Sequence, residues 1–280
     1  MSNLRKILFW LLCCLLFLIP SNVLANGVNV ESRRTSIERD GIFGDFQMQG
    51  ALQHGNTNLV NLGASGLFGF RKTTLRTQHT VFAFGNFSIT SESISLKRNI
   101  QNSEMGHIRY NVKIKKWVFW EVFSQVQADQ NTFVDLRYLL GTGPRFVPLR
   151  IGGHLMVLGT AYMPEYEVLN RSIQRPYPSD LSFRKTWVHR WSSYLSYRAD
   201  ITDQFVFQTT TYIQPRFGRF RDIKAFNDNV LTMQINDLLD FSVSLGVGYD
   251  REPPSVCEND ECRKLKRLDI GTQMGIKVKF

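Results

Sequence analysis

Residues 265–280 read LKRLDIGTQMGIKVKF and are the stretch on which the fold turns. Leu268, Ile270, Thr272, Met274, Ile276, Val278 and Phe280 share one face in strict alternation. Arg267, Asp269, Gly271, Gln273, Gly275, Lys277 and Lys279 share the other. A period of two belongs to a strand, not a helix. One face is apolar enough for lipid, while the other is charged or small. Such a strand fits the wall of a transmembrane β-barrel.

The other end of the chain carries a leader. Arg5 and Lys6 precede an apolar run at 7–19, then Pro20, and then Val23-Leu24-Ala25. A basic start, a hydrophobic core and a small-residue site read as a secretory signal peptide, 1–25, cut after Ala25. The run falls short of the ~20 residues that a spanning helix needs, and Pro20 ends it. Neither Cys13 nor Cys14 follows a small residue, so a lipoprotein reading fails. Removing 1–25 takes two cations and no anion, so the formal charge falls from +10 to +8. No basic block interleaved with aromatics suggests nucleic acid. A cationic lumen, or loops near anionic lipid, accounts for the excess.

After the leader, no apolar run is long enough to span as a helix, yet the chain holds 21 Phe, 9 Tyr and 5 Trp. Strands cross a bilayer only as a closed barrel, because every backbone polar group must be paired. The chain reads as a periplasmic lead-in at 26–42 and a barrel over 43–280. About 12 strands are expected in an all-β, antiparallel, up-and-down arrangement, and an even count returns the C-terminus to the periplasm. Short turns are expected after every even strand, one of them at 147–150. The three longest loops are expected outside, a polar one at 90–103, one at 167–182 and a cysteine-bearing one at 252–264, and an Arg-rich loop is expected at 218–222. A soluble β-sandwich also alternates. It explains neither the lipid-length strands nor the chain's last residues.

Those residues, Gln273-x-Gly275-x-x-Val278-x-Phe280, resemble the signal that outer-membrane barrels present to the barrel-assembly machinery. Further motifs follow in order: GALQHGNTN from Gly50, Arg109-Tyr110-Asn111, LRYLLGTGPRF from Leu136, YMPEYE from Tyr162 and YDREPP from Tyr249. Together they resemble the salt-induced outer-membrane protein family, domain of unknown function 481. The resemblance covers nearly all of the chain after the leader. It implies an outer-membrane barrel and brings no catalytic residues. The cysteine pair is not a feature associated with the family.

Alternation turns Arg137, Arg145, Arg190, Lys277, Asp45, Glu121, Asp135, Asp240 and Asp269 toward the lumen. A charge facing lipid at mid-membrane would cost ~2–4 kcal/mol. These charges either line a pore that selects solutes by sign or form a web of ion pairs that plugs a narrow barrel. Inner glycines such as Gly141 and Gly143 relieve crowding in either case. Cys257 and Cys262 are expected to form a disulfide after export, with two free thiols as the alternative. No metal or cofactor set is apparent. The five histidines, His54, His79, His107, His154 and His189, form no hydrolase pattern with a serine. Glu165, Glu167 and Asp250 reach the outer rim with no His beside them, which argues against a rim protease. Three readings follow in order: a narrow passive channel for small solutes, anionic ones favoured; a closed structural or surface-interaction barrel; and a barrel hydrolase. Lipid and the assembly machinery are the expected partners.

Overall fold

The computed structural model describes residues 31–32, 40–53, 58–94, 97–170, 173–174, 185–253, 255–258, 261–264 and 266–280. The leader at 1–25, the turn at 54–57 and most of the 167–182 loop lie outside these residues.

The alternating segments form long strands: β1 (Gly41–Gln53), β2 (Asn58–Thr73), β3 (Gln78–Ile94), β4 (Lys97–Lys115), β5 (Val118–Asp129), β6 (Val134–Ile151) and β7 (His154–Leu169). After the short β8 (Ile173–Gln174) come β9 (Lys185–Asp200), β10 (Phe205–Arg216), β11 (Arg219–Gln234) and β12 (Leu239–Asp250). The short β13 (Ser255–Glu258) and β14 (Glu261–Lys264) precede β15 (Leu268–Lys279). All except β8, β13 and β14 join a closed barrel, twelve strands in all. The closing seam pairs β1 with β15, from Asp45 opposite Lys279 to Gly50 opposite Met274. Phe280 extends the seam, exchanging two 3.2 Å backbone hydrogen bonds with Gly44. Its ring lies 2.5 Å, and the Leu67 carbonyl oxygen 2.9 Å, from where a Cβ at position 44 would stand, so a larger residue there would have to displace the ring and crowd the backbone.

Met48, Phe68, Ile108, Leu140, Leu195 and Ile276 are among the many large apolar side chains exposed on the outer wall. A water-soluble monomer rarely shows so much contiguous apolar surface. At 12–19 residues each, the barrel strands exceed the ~9–11 that a tilted span requires. Polar atoms on this face are paired across strands. Trp120 donates to Thr142 at 2.9 Å. His79 with Tyr110, His154 with Tyr197 and His189 with Tyr162 pair at 2.6, 2.9 and 2.6 Å. Three of the five histidines thus belong to the outer wall. The end that carries β1's start and Phe280 also carries short turns, and the opposite end, with the 251–267 segment, is called the outer end below.

Several connections differ from expectation. The polar 90–103 segment is not an open loop, because β3 and β4 stay paired to Ile94 opposite Lys97. Beyond the bilayer a strand needs no apolar face, so its sequence reads like a loop. The turn expected at 147–150 is a bulge in β6, where the register slips between Phe146 and Leu149 around Pro148. Proline donates no ladder hydrogen bond, and a bulge accommodates it. The reversal comes at Gly152-Gly153, with φ of +54° and +81°, the two-residue turn that requires left-handed backbone. The Arg-rich 218–222 loop contracts to a tight turn with Arg216 opposite Arg219. In the 252–264 segment, β13 and β14 form a hairpin that also pairs with β8. Cys257 stands directly opposite Cys262, a Cα spacing of roughly 4.5–5.5 Å that a disulfide can span. The side chains of both cysteines lie outside the described residues.

Candidate functional site

Within the barrel, period-two alternation delivers charge to the lumen from strands on many sides, and the charges collect in layers. The outer layer joins β6, β7, β9 and β11. Arg137 and Glu167 are register partners on neighbouring strands. The Arg137 Nε donates to Glu167 at 2.9 Å, and its Nη2 approaches the same oxygen more closely. Arg137 also lies 3.7 Å from Glu165. Arg190 reaches Glu165 at 3.4 Å and Asp222 at 3.2 Å. Lys224 meets Glu165 at 3.2 Å and Glu167 at 3.5 Å. Among the described residues, three cations thus face three anions. With Glu167 at 0% and Arg190 at 1% exposure, neither charge would be tolerated there without its partners.

The middle layer joins Arg109 of β4, Glu121 of β5, Arg145 of β6 and Tyr194 of β9. Arg109 lies 3.4 Å from Glu121, and Arg145 lies 3.6 Å from it. Glu31 completes the layer from outside the barrel wall, at 3% exposure. Arg145 donates to its Oε2 at 3.1 Å. Its Oε1 lies 3.6 Å from Arg109 Nη1 and 3.3 Å from the Tyr194 hydroxyl. The same hydroxyl lies 3.0 Å from Glu121, so it donates to one carboxylate at a time. The Arg109 guanidinium sits 4.8 Å over the Phe123 ring, a cation–π contact. Glycine makes room for these rings: a Cβ at Gly141 would come within 2.1 Å of Phe123, and one at Gly159 within 2.0 Å of Tyr194. Near the end that carries Phe280, Asp240 holds Lys277 at 3.2 Å and Lys279 at 2.8 Å.

Among the described residues, two cavities lie along this path. The outer, about 80 Å³, is lined by Arg109, Phe123, Arg137, Glu165, Tyr212 and Lys224 among others. The inner, about 250 Å³, is lined by Glu31, Arg71, Arg145, Arg150, Arg198 and Gln208 among others. They share no lining residue, and the middle layer stands between them. Arg109 borders the outer cavity; Arg145 and Glu31 border the inner one.

Of the charges expected in the lumen, Arg137, Arg145, Arg190, Glu121, Asp240, Lys277 and Asp45 are buried there. Asp269 is half-buried on the lumen side of β15. Asp135 is a correction. A register shift between Val134 and Leu136 breaks the alternation, and Asp135 stands exposed at the rim, accepting from Asn170 at 3.2 Å. Sequence reading missed Arg109, Asp222 and Lys224, and it set Glu165 and Glu167 at the outer rim. In Glu165-Tyr166-Glu167 the spacing of two already puts both carboxylates on one face. Glu31 had no such signal, because it lies in the polar segment ahead of β1.

The family model described as "Protein of unknown function, DUF481" matches residues 49–280. No curated protein matches the chain. Among solved structures, the chain is similar to an outer-membrane channel of Pseudomonas putida F1 at 8% identity and TM-score 0.49, covering 94% of this chain and 98% of that one. The translocator domain of the autotransporter NalP from Neisseria meningitidis gives 8% and 0.49, covering 89% and 94%. The NanC porin gives 13% and 0.46, covering 84% and 98%.

Proposed function

The chain belongs to the DUF481 family of proteins of unknown function, and we propose that it is a narrow passive channel of the outer membrane for small solutes, anions favoured. The single observation that carries this reading is the pair of cavities along a charged lumen, with an inner cavity bordered by Arg71, Arg145, Arg150 and Arg198. Among the described residues Arg150 is exposed and makes no ion pair, which leaves positive charge facing an entering solute. In planar bilayers the folded protein should give small discrete openings with an anion preference that Arg145→Ala reduces. A second reading, a closed barrel with a structural or surface role, draws support from the neutral outer layer. Folded, inserted protein that never conducts would overturn the channel and leave that second reading in its place. The Cys257–Cys262 disulfide belongs to the same proposal as a brace on the outer hairpin; mass measurement with and without reductant tests it.

A further inference from the structure

We propose that Arg109, Arg145 and Tyr194 form a binding site for small monocarboxylates, which Glu31 of the same chain fills. This deepens the channel reading and rests on it for the route by which the ligand arrives. The Glu31 carboxylate is bound as a ligand would be: Oε2 takes Arg145, and Oε1 takes Arg109 and Tyr194. Two guanidiniums and a hydroxyl spread over both oxygens are the donors that carboxylate recognition calls for. Every other member of the layer is set in a barrel strand. Glu31 comes from ahead of β1, and seven residues, 33–39, separate Ser32 from Asp40.

Charge selects the ligand. Among the described residues, the layer's two cations are Arg109 and Arg145, and besides Glu31 its one anion is Glu121. Without Glu31 the buried layer is left with one uncompensated cation, which a monoanion neutralises and a dianion overfills. Size and polarity agree. The inner cavity is about 250 Å³ and starts at Arg145 and Glu31. Leu155, Val157 and Phe119 on its wall offer a surface for a short apolar tail, and Arg198 and Gln208 border the rest.

The test uses protein purified from outer membranes in detergent and titrated calorimetrically with propionate, with propionamide as the neutral isostere. A carboxylate of the same chain competes intramolecularly for these donors, so E31Q should bind propionate about tenfold or more tighter than wild type. Propionamide should bind neither form, and E31Q/R145A should lose the gain. Equal propionate affinity in wild type and E31Q would overturn the site, as would a gain that survives R145A. If R145A impairs folding, E31Q/Y194F substitutes for it and should weaken binding several-fold. Bilayer recordings separate this site from the channel reading. Propionate binding without conductance keeps the site and removes the channel, and conductance without propionate binding does the reverse.

Discussion

The outer and middle charge layers both rest on buried arginine–carboxylate pairs, yet they differ in how they are closed. Among the described residues, all six charged groups of the outer layer come from barrel strands, so their balance is part of the wall. Among the described residues, the charges of the middle layer balance only with Glu31, which enters from a segment that belongs to no barrel strand. One layer works as a clamp that holds β6, β7, β9 and β11 together. The other works as a receptor with its own occupant. The lesson is that a buried ion pair is structural or functional according to whether the scaffold can release one member of it.

The largest expected effect tests the clamp. Glu167→Gln leaves Arg137 and Lys224 facing too little negative charge in a site with no exposure, and should destabilise the folded barrel by about 3–5 kcal/mol. Glu31→Gln, measured by urea unfolding in the same micelles, should cost only about 1 kcal/mol, since the adjoining cavity admits water to the arginines that Glu31 no longer meets. Equal losses for the two variants would erase the distinction between the layers. Next comes selectivity. Arg145→Ala should lower the anion-to-cation permeability ratio by about fivefold, the effect of ~1 kcal/mol from one charge a few ångströms from a passing ion. A ratio that Arg145→Ala leaves unchanged would remove the middle layer from the solute path. Tyr194→Phe deletes a hydroxyl shared by Glu31 and Glu121 and should destabilise the barrel by about 0.5–1.5 kcal/mol. The smallest effect falls on the rim: Asp135→Ala should change stability by less than about 0.5 kcal/mol and leave conductance as it was. A larger change would return Asp135 to the lumen.

Much of this architecture was legible in the chain. Alternation in residues 265–280 marked a barrel strand, and the same period elsewhere gave twelve strands with Arg137, Arg145, Arg190, Glu121 and Asp240 inside. The period failed where the backbone breaks it. The register shift at Val134–Leu136 turned Asp135 outward, and the bulge at Pro148 carried β6 past its expected end to the Gly152-Gly153 turn. Loop lengths failed for a different reason. Outside the bilayer no apolar face is demanded, so a paired strand and a polar loop have the same composition.

By itself the sequence determined which side chains face lipid and which face the lumen, because the pleat alternates and lipid penalises a charge. Which carboxylate meets which arginine was decided only by the tertiary structure. Arg137 and Glu167 are 30 positions apart, and Glu31 and Arg145 are 114 apart. Such partners are chosen by strand order, by register and by where the segment ahead of β1 lies, and none of these is a local property of the chain.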